Sequence, residues 1–357
     1  MNFHNFPTTR YQGSKRKILP WIYDIVKELE FETVLDAFGG TASVSYLFKK
    51  MNKSVTFNDM LRFNYLVGKA IIENQKVNVT EEDLQRLTSI ANDVIYSTFI
   101  QENFRGVYYL DKENKWLDRV TSNISQMNHY PERFLQYKKA ISFYALFQAC
   151  LIKRPFNLFH RKNLSIRTRN VERDFGNKTT WEKPFQDCFQ RFVKEANKLV
   201  FDSGKPCRSI NNSILDLDEL EYDLVYFDPP YFRKSSTNET SDYLKCYHFL
   251  EGLSRYAEWS SFVNYESINL RFKPEYCLVD LKPENMRETI ENLFSKFRKS
   301  IIIVSYKYGG IPSIEYIRKL LKKFKNNVYT RSKHYKYALN HQNGDAVKNR
   351  EFLIIGT

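Results

Sequence analysis

Residues Thr33–Asp59 read TVLDAFGGTASVSYLFKKMNKSVTFND. TVLDAF is a short apolar run of the kind that forms a buried strand. GGTASVSYLFKKM follows at once and reads as a glycine turn opening a helix. SVTFND is a second strand that ends, like the first, in an acid. Two strands joined through a helix pair in parallel, because the helix returns the chain to the end from which it set out. KRKILPWIYDIVKELE before this unit, with Ile18, Ile22, Ile25, Val26 and Leu29 at helical spacing, and LRFNYLVGKAIIEN after it add helices to either side. The pattern predicts an open, layered α/β sheet.

The alternation stops near Val77. EEDLQRLTSIANDVIYSTFIQENF and RFLQYKKAISFYALFQACLI read as helical, and no strand is evident between or after them. Lys153–Lys183 is basic, with nine Lys/Arg against three acids. Strands resume at CRSI, then DLVYF, SIIIVSY (Ser300–Tyr306), NNVYTRS (Asn326–Ser332) and EFLIIG (Glu351–Gly356). PENMRETIENLFSKF and SIEYIRKLLKKF supply the helices among them. The last two strands have no helix between them and are expected to pair antiparallel. The expected organisation is one α/β domain made of residues 1–76 and 206–357, interrupted by a mainly helical insertion at 77–205.

Tyr222–Phe232, YDLVYFDPPYF, carries the chemistry. Asp228 stands just past the carboxyl end of a buried strand, the edge at which open parallel sheets hold ligands. Pro229 and Pro230 fix φ and donate no hydrogen bond, so the chain leaves the sheet in one rigid geometry. Asp228 and the Pro229 carbonyl are acceptors only. Their fitting guest is a planar ring bearing an amino group, stacked on Tyr231 or Phe232. Two acceptors beneath an aryl amine draw on its hydrogens and turn its lone pair towards an electrophile, so orientation and electrostatics lower the barrier. Asp36 and Asp59, at the ends of the first two strands, flank a glycine turn suited to a nucleoside ligand. The turn is not G-x-G-x-x-G, which argues against a nicotinamide cofactor.

Composition narrows the partner. The chain has 357 residues and 42% hydrophobic content, so it folds rather than remaining disordered. A net charge of +14 favours a polyanion, and 16% aromatic residues suit base stacking as well as core packing. The five cysteines form no Cys-x-x-Cys pair, so neither a zinc site nor a disulfide framework is indicated, and no metal is expected. With no apolar leader or membrane-length apolar run, the expected location is cytoplasmic.

DPPY after an apolar strand, DAFGGTA upstream of it and TRYQGSKRKILPWI before that resemble the Dam-like DNA adenine methyltransferases of the alpha group. RPFNLFHRKNLSIRT, FGNKTTW and YHFLEGL add to the likeness. The resemblance covers Thr9–Asn74 and Pro206–Thr357. It implies a Rossmann-like methyltransferase sheet, S-adenosylmethionine as cofactor, and methylation of the exocyclic amine of an adenine flipped out of double-stranded DNA. It also implies an inserted target-recognition region. On this likeness Asp228, Pro229, Pro230 and Tyr231 are the catalytic tetrapeptide. Phe38, Gly39, Gly40, Thr41 and Ala42 form the cofactor turn, with Asp36 beside the methionine portion and Asp59 on the ribose. Tyr11, Gly13 and Lys15 supply the N-terminal cofactor motif, Lys15 meeting the methionine carboxylate. The family turn reads F-x-G-x-G; Ala42 replaces its last glycine, and the extra methyl is expected to be tolerated at the helix start. Where the family has an acid contacting the cofactor adenine, this chain has Ser213, with Asn212 and Asp216 as alternatives.

Within the insertion, Asn157, His160, Arg161, Lys162, Arg167 and Arg169 are the candidates for DNA contact, interleaved with Asn163, Ser165 and Thr168. Arg161 and Lys162 suit phosphates; Arg167 and Arg169 suit bases. Gln101–Tyr130 and the loop Arg233–Lys245 are the alternative recognition surfaces. His248 is either a pocket-side residue or a helix-start histidine. RKLLKKFK (Arg318–Lys325) reads as the solvent face of an amphipathic helix. Alternative substrates are a cytosine amine, an RNA adenine or a protein glutamine; a further alternative is a non-catalytic nucleic-acid-binding relative. The retained acid, turn and ribose carboxylate speak against the last. A monomer is expected, with a restriction endonuclease as a separate partner.

Overall fold

The computed structural model describes residues 1–8, 10–169, 178–217, 221–232, 242–276, 284–334 and 350–357. Residues 170–173 of the basic stretch, 175–177 of FGNKTTW, 233–241 of the loop after DPPY, Cys277 and residues 335–337 lie outside the described residues. The chain divides into two compact units. The first is Met1–Met60, Ser203–Asp242 and Leu278–Thr357; the second is Leu61–Asp202 and Tyr243–Cys277.

The first unit holds a seven-stranded sheet: β1 (Thr33–Asp36), β2 (Ser54–Asn58), β3 (Cys207–Ile210), β4 (Leu224–Phe227), β5 (Ile301–Lys307), β6 (Val328–His334) and β7 (Arg350–Gly356). The spatial order is β3-β2-β1-β4-β5-β7-β6. The first five of these are mutually parallel, and β7 runs antiparallel between β5 and β6. Every strand expected from the sequence is present. β1 and β4 are neighbours from which the sheet grows outward in both directions, so the crevice of a doubly wound sheet opens between their carboxyl ends. The near-continuous apolar runs of β4 and β5 follow from burial on both faces: Val225, Phe227, Ile302 and Val304 share one core with Ile290, Leu293, Phe294, Ile317 and Leu321.

Helices cover the sheet at Leu19–Val26, Ser43–Lys50, Met286–Lys296 and Ile314–Leu321. Pro20 opens the first of these, where its missing N–H removes nothing. The second ends at Met51, where Asn52 turns left-handed at φ 57°. Ser313 caps the last through the Tyr316 N–H.

The second unit is helical. Its axis is Glu132–Ile152, buried along most of its length from Leu135 to Leu151 and packed against Phe185–Leu199. The helical reading of residues 81–104 is corrected: helix Glu81–Thr88 stops, residues 89–98 are irregular, and Phe99–Asn103 is a separate turn and a half. Thr80 and Asp83 form a capping box at the start. The break is held by polar bonds, with Asn123 Nδ2 donating to the carbonyls of Leu87 and Ser89 at 2.8 and 2.9 Å. No described helix is long and apolar enough to cross a membrane.

Candidate active site

The acids and the glycine turn meet at the carboxyl ends of β1, β2 and β4. Asp36 closes β1 opposite Phe57 of β2 and Tyr226 of β4. Its carboxylate accepts the Ser45 hydroxyl at 2.6 Å and the Ser45 N–H at 3.1 Å, inside the first turn of the helix that follows. Burial pushes Asp36 up to about 7; the Ser45 bonds oppose this, and Asp228 and Asp59 add to it. At Gly39 the turn leaves no room for a side chain. A Cβ on Gly39 would lie 2.1 Å from the Phe57 ring. Gly40, at φ +50°, gives its N–H to Asp59 at 2.8 Å, so the second acid braces the turn.

Ala42 stands where the family turn has its last glycine. It is fully buried at φ 59°, a left-handed conformation that glycine adopts freely and alanine does not. The junction accommodates the methyl with backbone strain. Thr41 and Ser43 share a hydroxyl–hydroxyl bond of 2.9 Å, and Phe38 packs towards Phe227.

DPPY leaves β4 under clamps from three elements. Asp228 pairs with Lys15 at 2.8 Å and accepts the Tyr231 hydroxyl. Lys15 also donates to the Tyr231 oxygen at 2.9 Å and lies 3.4 Å from Glu351, which opens β7. Ser305 of β5 donates to Glu351 at 2.7 Å. Phe232 bridges Ile311, whose N–H it accepts at 3.0 Å, and the Tyr231 ring meets Tyr306 edge-on. Burial raises Asp228 and Glu351 adds to this, against the pull of Lys15. Burial would lower Lys15, but Asp228 and Glu351 together hold it above the ordinary ammonium range. Lys15 thus stands in the DPPY cluster, and Gly13, at φ 82°, accepts from it at 3.3 Å. The Tyr11 ring lies against the turn, 3.7 Å from where a Gly40 Cβ would stand. Ser213 closes a tight turn after β3, accepting the Leu215 N–H at 3.3 Å and, through its carbonyl, the Asp216 N–H. Asn212 and Asp216 are exposed beside it.

In the second unit the basic stretch separates into two populations. Lys153, Arg154 and Arg167 are internal. Lys153 and Arg167 reach Glu113 at 2.9 and 2.8 Å, and Arg167 also donates to the Trp181 carbonyl. Arg154 is 2% exposed and donates to the carbonyls of Leu158, Arg161 and Lys162, so it moulds the loop from inside. Arg161, Lys162 and Arg169 are exposed; Asn157, at φ 56°, and His160 are half-buried. Arg167 is therefore occupied as a scaffold residue. His248 is a core histidine: its Nε2 lies 2.8 Å from the Tyr108 hydroxyl and 3.2 Å from the Phe159 carbonyl, and burial lowers it to about 3. YHFLEGL packs the same core. Glu251 accepts the N–H groups of Arg62 and Phe63, and a Cβ on Gly252 would strike the Trp259 ring.

Residues 11–258 match the family of D12 class N6 adenine-specific DNA methyltransferases. The chain belongs to that family. Among its relatives, the type II methyltransferase M2.HphI of Haemophilus parahaemolyticus is 27% identical over 70% of this chain and 72% of its own length. The type II methyltransferase M.NlaIII of Neisseria lactamica is 21% identical over 88% of both chains. The modification methylase StsI of Streptococcus sanguinis is 25% identical over 88% of this chain, which spans 46% of that longer protein. Sequence reasoning missed two buried charged residues, one in the DPPY cluster and one beneath the basic loop. Glu351 was hidden at the start of a strand, and Arg154 was indistinguishable from the basic residues around it.

Proposed function

We propose that the chain methylates the exocyclic amine of adenine in double-stranded DNA using S-adenosylmethionine, with Asp228 holding the amine. Family membership supports the reaction. The observation that carries the site is the rigid DPPY exit, with Asp228 beside Lys15 and Tyr231 at the central crevice of the sheet. The donor set suits the cofactor: Asp36, Asp59 and Asp228 would offer complementary charge and acceptors to an ammonium, a sulfonium and ribose hydroxyls. Bound there, S-adenosylmethionine supplies an activated methyl group.

Phe38, Gly39, Gly40, Thr41 and Ala42 shape the cofactor turn, Tyr11 and Gly13 line it, Asp59 takes the ribose and Ser213 stands near the adenine. Asp228 uses one oxygen on Lys15 and one on Tyr231. A carboxylate has about four acceptor positions, so capacity remains for the amine hydrogens. Asp228 and the Pro229 carbonyl orient the amine; Pro230 keeps that carbonyl rigid; Tyr231 or Phe232 stacks the base. The exposed Arg161, Lys162 and Arg169, with the half-buried Asn157 and His160, form the DNA-facing set of the second unit. We further propose that the protein works as a cytoplasmic monomer beside a separate restriction endonuclease.

Asp228→Ala tests the assignment. Methyl transfer should fall by about 100–1,000-fold, the scale for losing one positioned electrostatic partner, while calorimetry finds S-adenosylmethionine affinity within a few-fold of wild type. Turnover within threefold of wild type would remove Asp228 from the reaction.

A further inference from the structure

Two carboxylates converge on the ammonium of Lys15. Asp228 comes from the exit of β4; Glu351 comes from the far end of the chain, at the start of β7. Glu351 is fully buried, with its Oε1 2.7 Å from Ser305, 3.2 Å from the Tyr231 hydroxyl and 3.4 Å from Lys15. Taking a carboxylate out of water is costly even when it is paired, and here Lys15, Tyr231 and Ser305 all meet it. A solvent-facing strand start would not need one.

We infer that Glu351 is a positioning residue for methyl transfer: it shares Lys15 and Tyr231 with Asp228, so that Asp228 is held in place without being neutralised. This rests on the proposed role of Asp228. The target amine nitrogen forms a bond to the methyl carbon as the carbon–sulfur bond breaks, its electron pair remaining on sulfur. The nitrogen carries positive charge until one of its protons departs towards Asp228 and then water. An ammonium 2.8 Å from Asp228 opposes that charge. Glu351 offsets it on the other side of the same ammonium, and Ser305 fixes the distance.

Among the described residues, Lys15 from the N-terminal segment, Asp36 of β1, Tyr226 of β4 and Tyr231 beyond it are charged or titratable groups facing the pair. Lys307 of β5 and Lys333 of β6 stand opposite Glu351 in register. Of these, Lys15 and Tyr231 touch both carboxylates, which makes them the channel through which Glu351 acts on Asp228.

The test compares Glu351→Gln, Glu351→Asp and Ser305→Ala with wild type. Without the Glu351 charge, Lys15 bears on Asp228 alone. The Asp228 carboxyl, followed by carbon-13 NMR of the free protein and assigned with Asp228→Asn, should titrate about one pH unit lower in Glu351→Gln. The acid limb of kcat should move the same way, and kcat should fall about tenfold or more. KM for DNA and S-adenosylmethionine affinity should stay within threefold. Glu351→Asp should recover part of both effects, and Ser305→Ala should show a smaller shift of the same sign. An unmoved Asp228 titration in Glu351→Gln overturns the inference, as does a loss of kcat matched by an equal loss of cofactor affinity. If Glu351→Gln does not fold, an unmoved titration in Ser305→Ala overturns it. A wild-type protein that transfers no methyl to adenine would refute the proposed function alone, since the titration of the free protein still reports the coupling.

Discussion

Asp36→Asn probes the cationic charge proposed for the ligand at the glycine turn. The native carboxyl is 2% exposed and raised from 3.8 to about 7, chiefly by burial. Between those values the folded state binds more protons than the unfolded chain, so stability falls as pH rises through the window, and the loss is complete above about 7. Three pH units correspond to a penalty on the order of 4 kcal/mol in the ligand-free protein. Asparagine resembles the neutral acid and escapes it. Urea unfolding should find the variant's stability advantage growing by about 2 kcal/mol between pH 5.5 and 8.5. A cationic ligand next to Asp36 restores the charged form, so at pH 7 wild type should release about half a proton on binding S-adenosylmethionine. Calorimetry in buffers of different ionisation enthalpy reads that release, and Asp36→Asn should lack it. An advantage independent of pH would show that Asp36 is ionised throughout. Identical proton release in the variant would place the cationic part of the ligand elsewhere.

Ala42→Gly should stabilise the protein by about 0.5–1 kcal/mol in thermal or urea unfolding, because the relief of left-handed strain exceeds the extra entropy of an unfolded glycine. Arg161→Ala and Lys162→Ala should weaken cognate and scrambled duplexes alike, each making the salt dependence of binding shallower by about one unit per lost phosphate contact. Arg169→Ala should act on the cognate duplex only, by roughly 1–3 kcal/mol, if it reads a base. Arg167→Ala should instead lower stability by about 1.5–3 kcal/mol, since Glu113 keeps Lys153 but loses its second cationic partner, and should leave sequence preference untouched in whatever fraction remains folded.

The sheet was legible because its strands are buried on both faces and therefore written as unbroken apolar words, such as DLVYF and SIIIVSY, separated by helices with clear spacing. The antiparallel return of the last strand followed from the lack of a helical apolar pattern in the sequence before it. Helix Asp111–Gln126 was harder to see. Its interior carries Asn114, Asp118, Thr121, Ser122 and Asn123, all buried, which dilutes the apolar stripe of Trp116, Leu117, Val120 and Ile124. Phe185–Leu199 repeats apolar residues every three or four positions and could have been read; the basic stretch before it drew attention away. In the site, DPPY and the glycine turn announced themselves because their chemistry is local in sequence. Glu351 did not, since its partners are Lys15, Tyr231 and Ser305, and an acid before EFLIIG looks like an ordinary strand entrance. The basic run misled for a related reason. Charge is visible in a sequence, but the carboxylate and carbonyls that turn Lys153, Arg154 and Arg167 inward are not.

Incubation with S-adenosylmethionine labelled in its methyl group, defined DNA duplexes and matched RNA, followed by nucleoside analysis, tests the central claim directly. The account predicts label in N6-methyladenine from duplex DNA, confined to one sequence context and lost in Asp228→Ala. Label recovered in methylated cytosine, in RNA adenine, or undiminished in Asp228→Ala would contradict it.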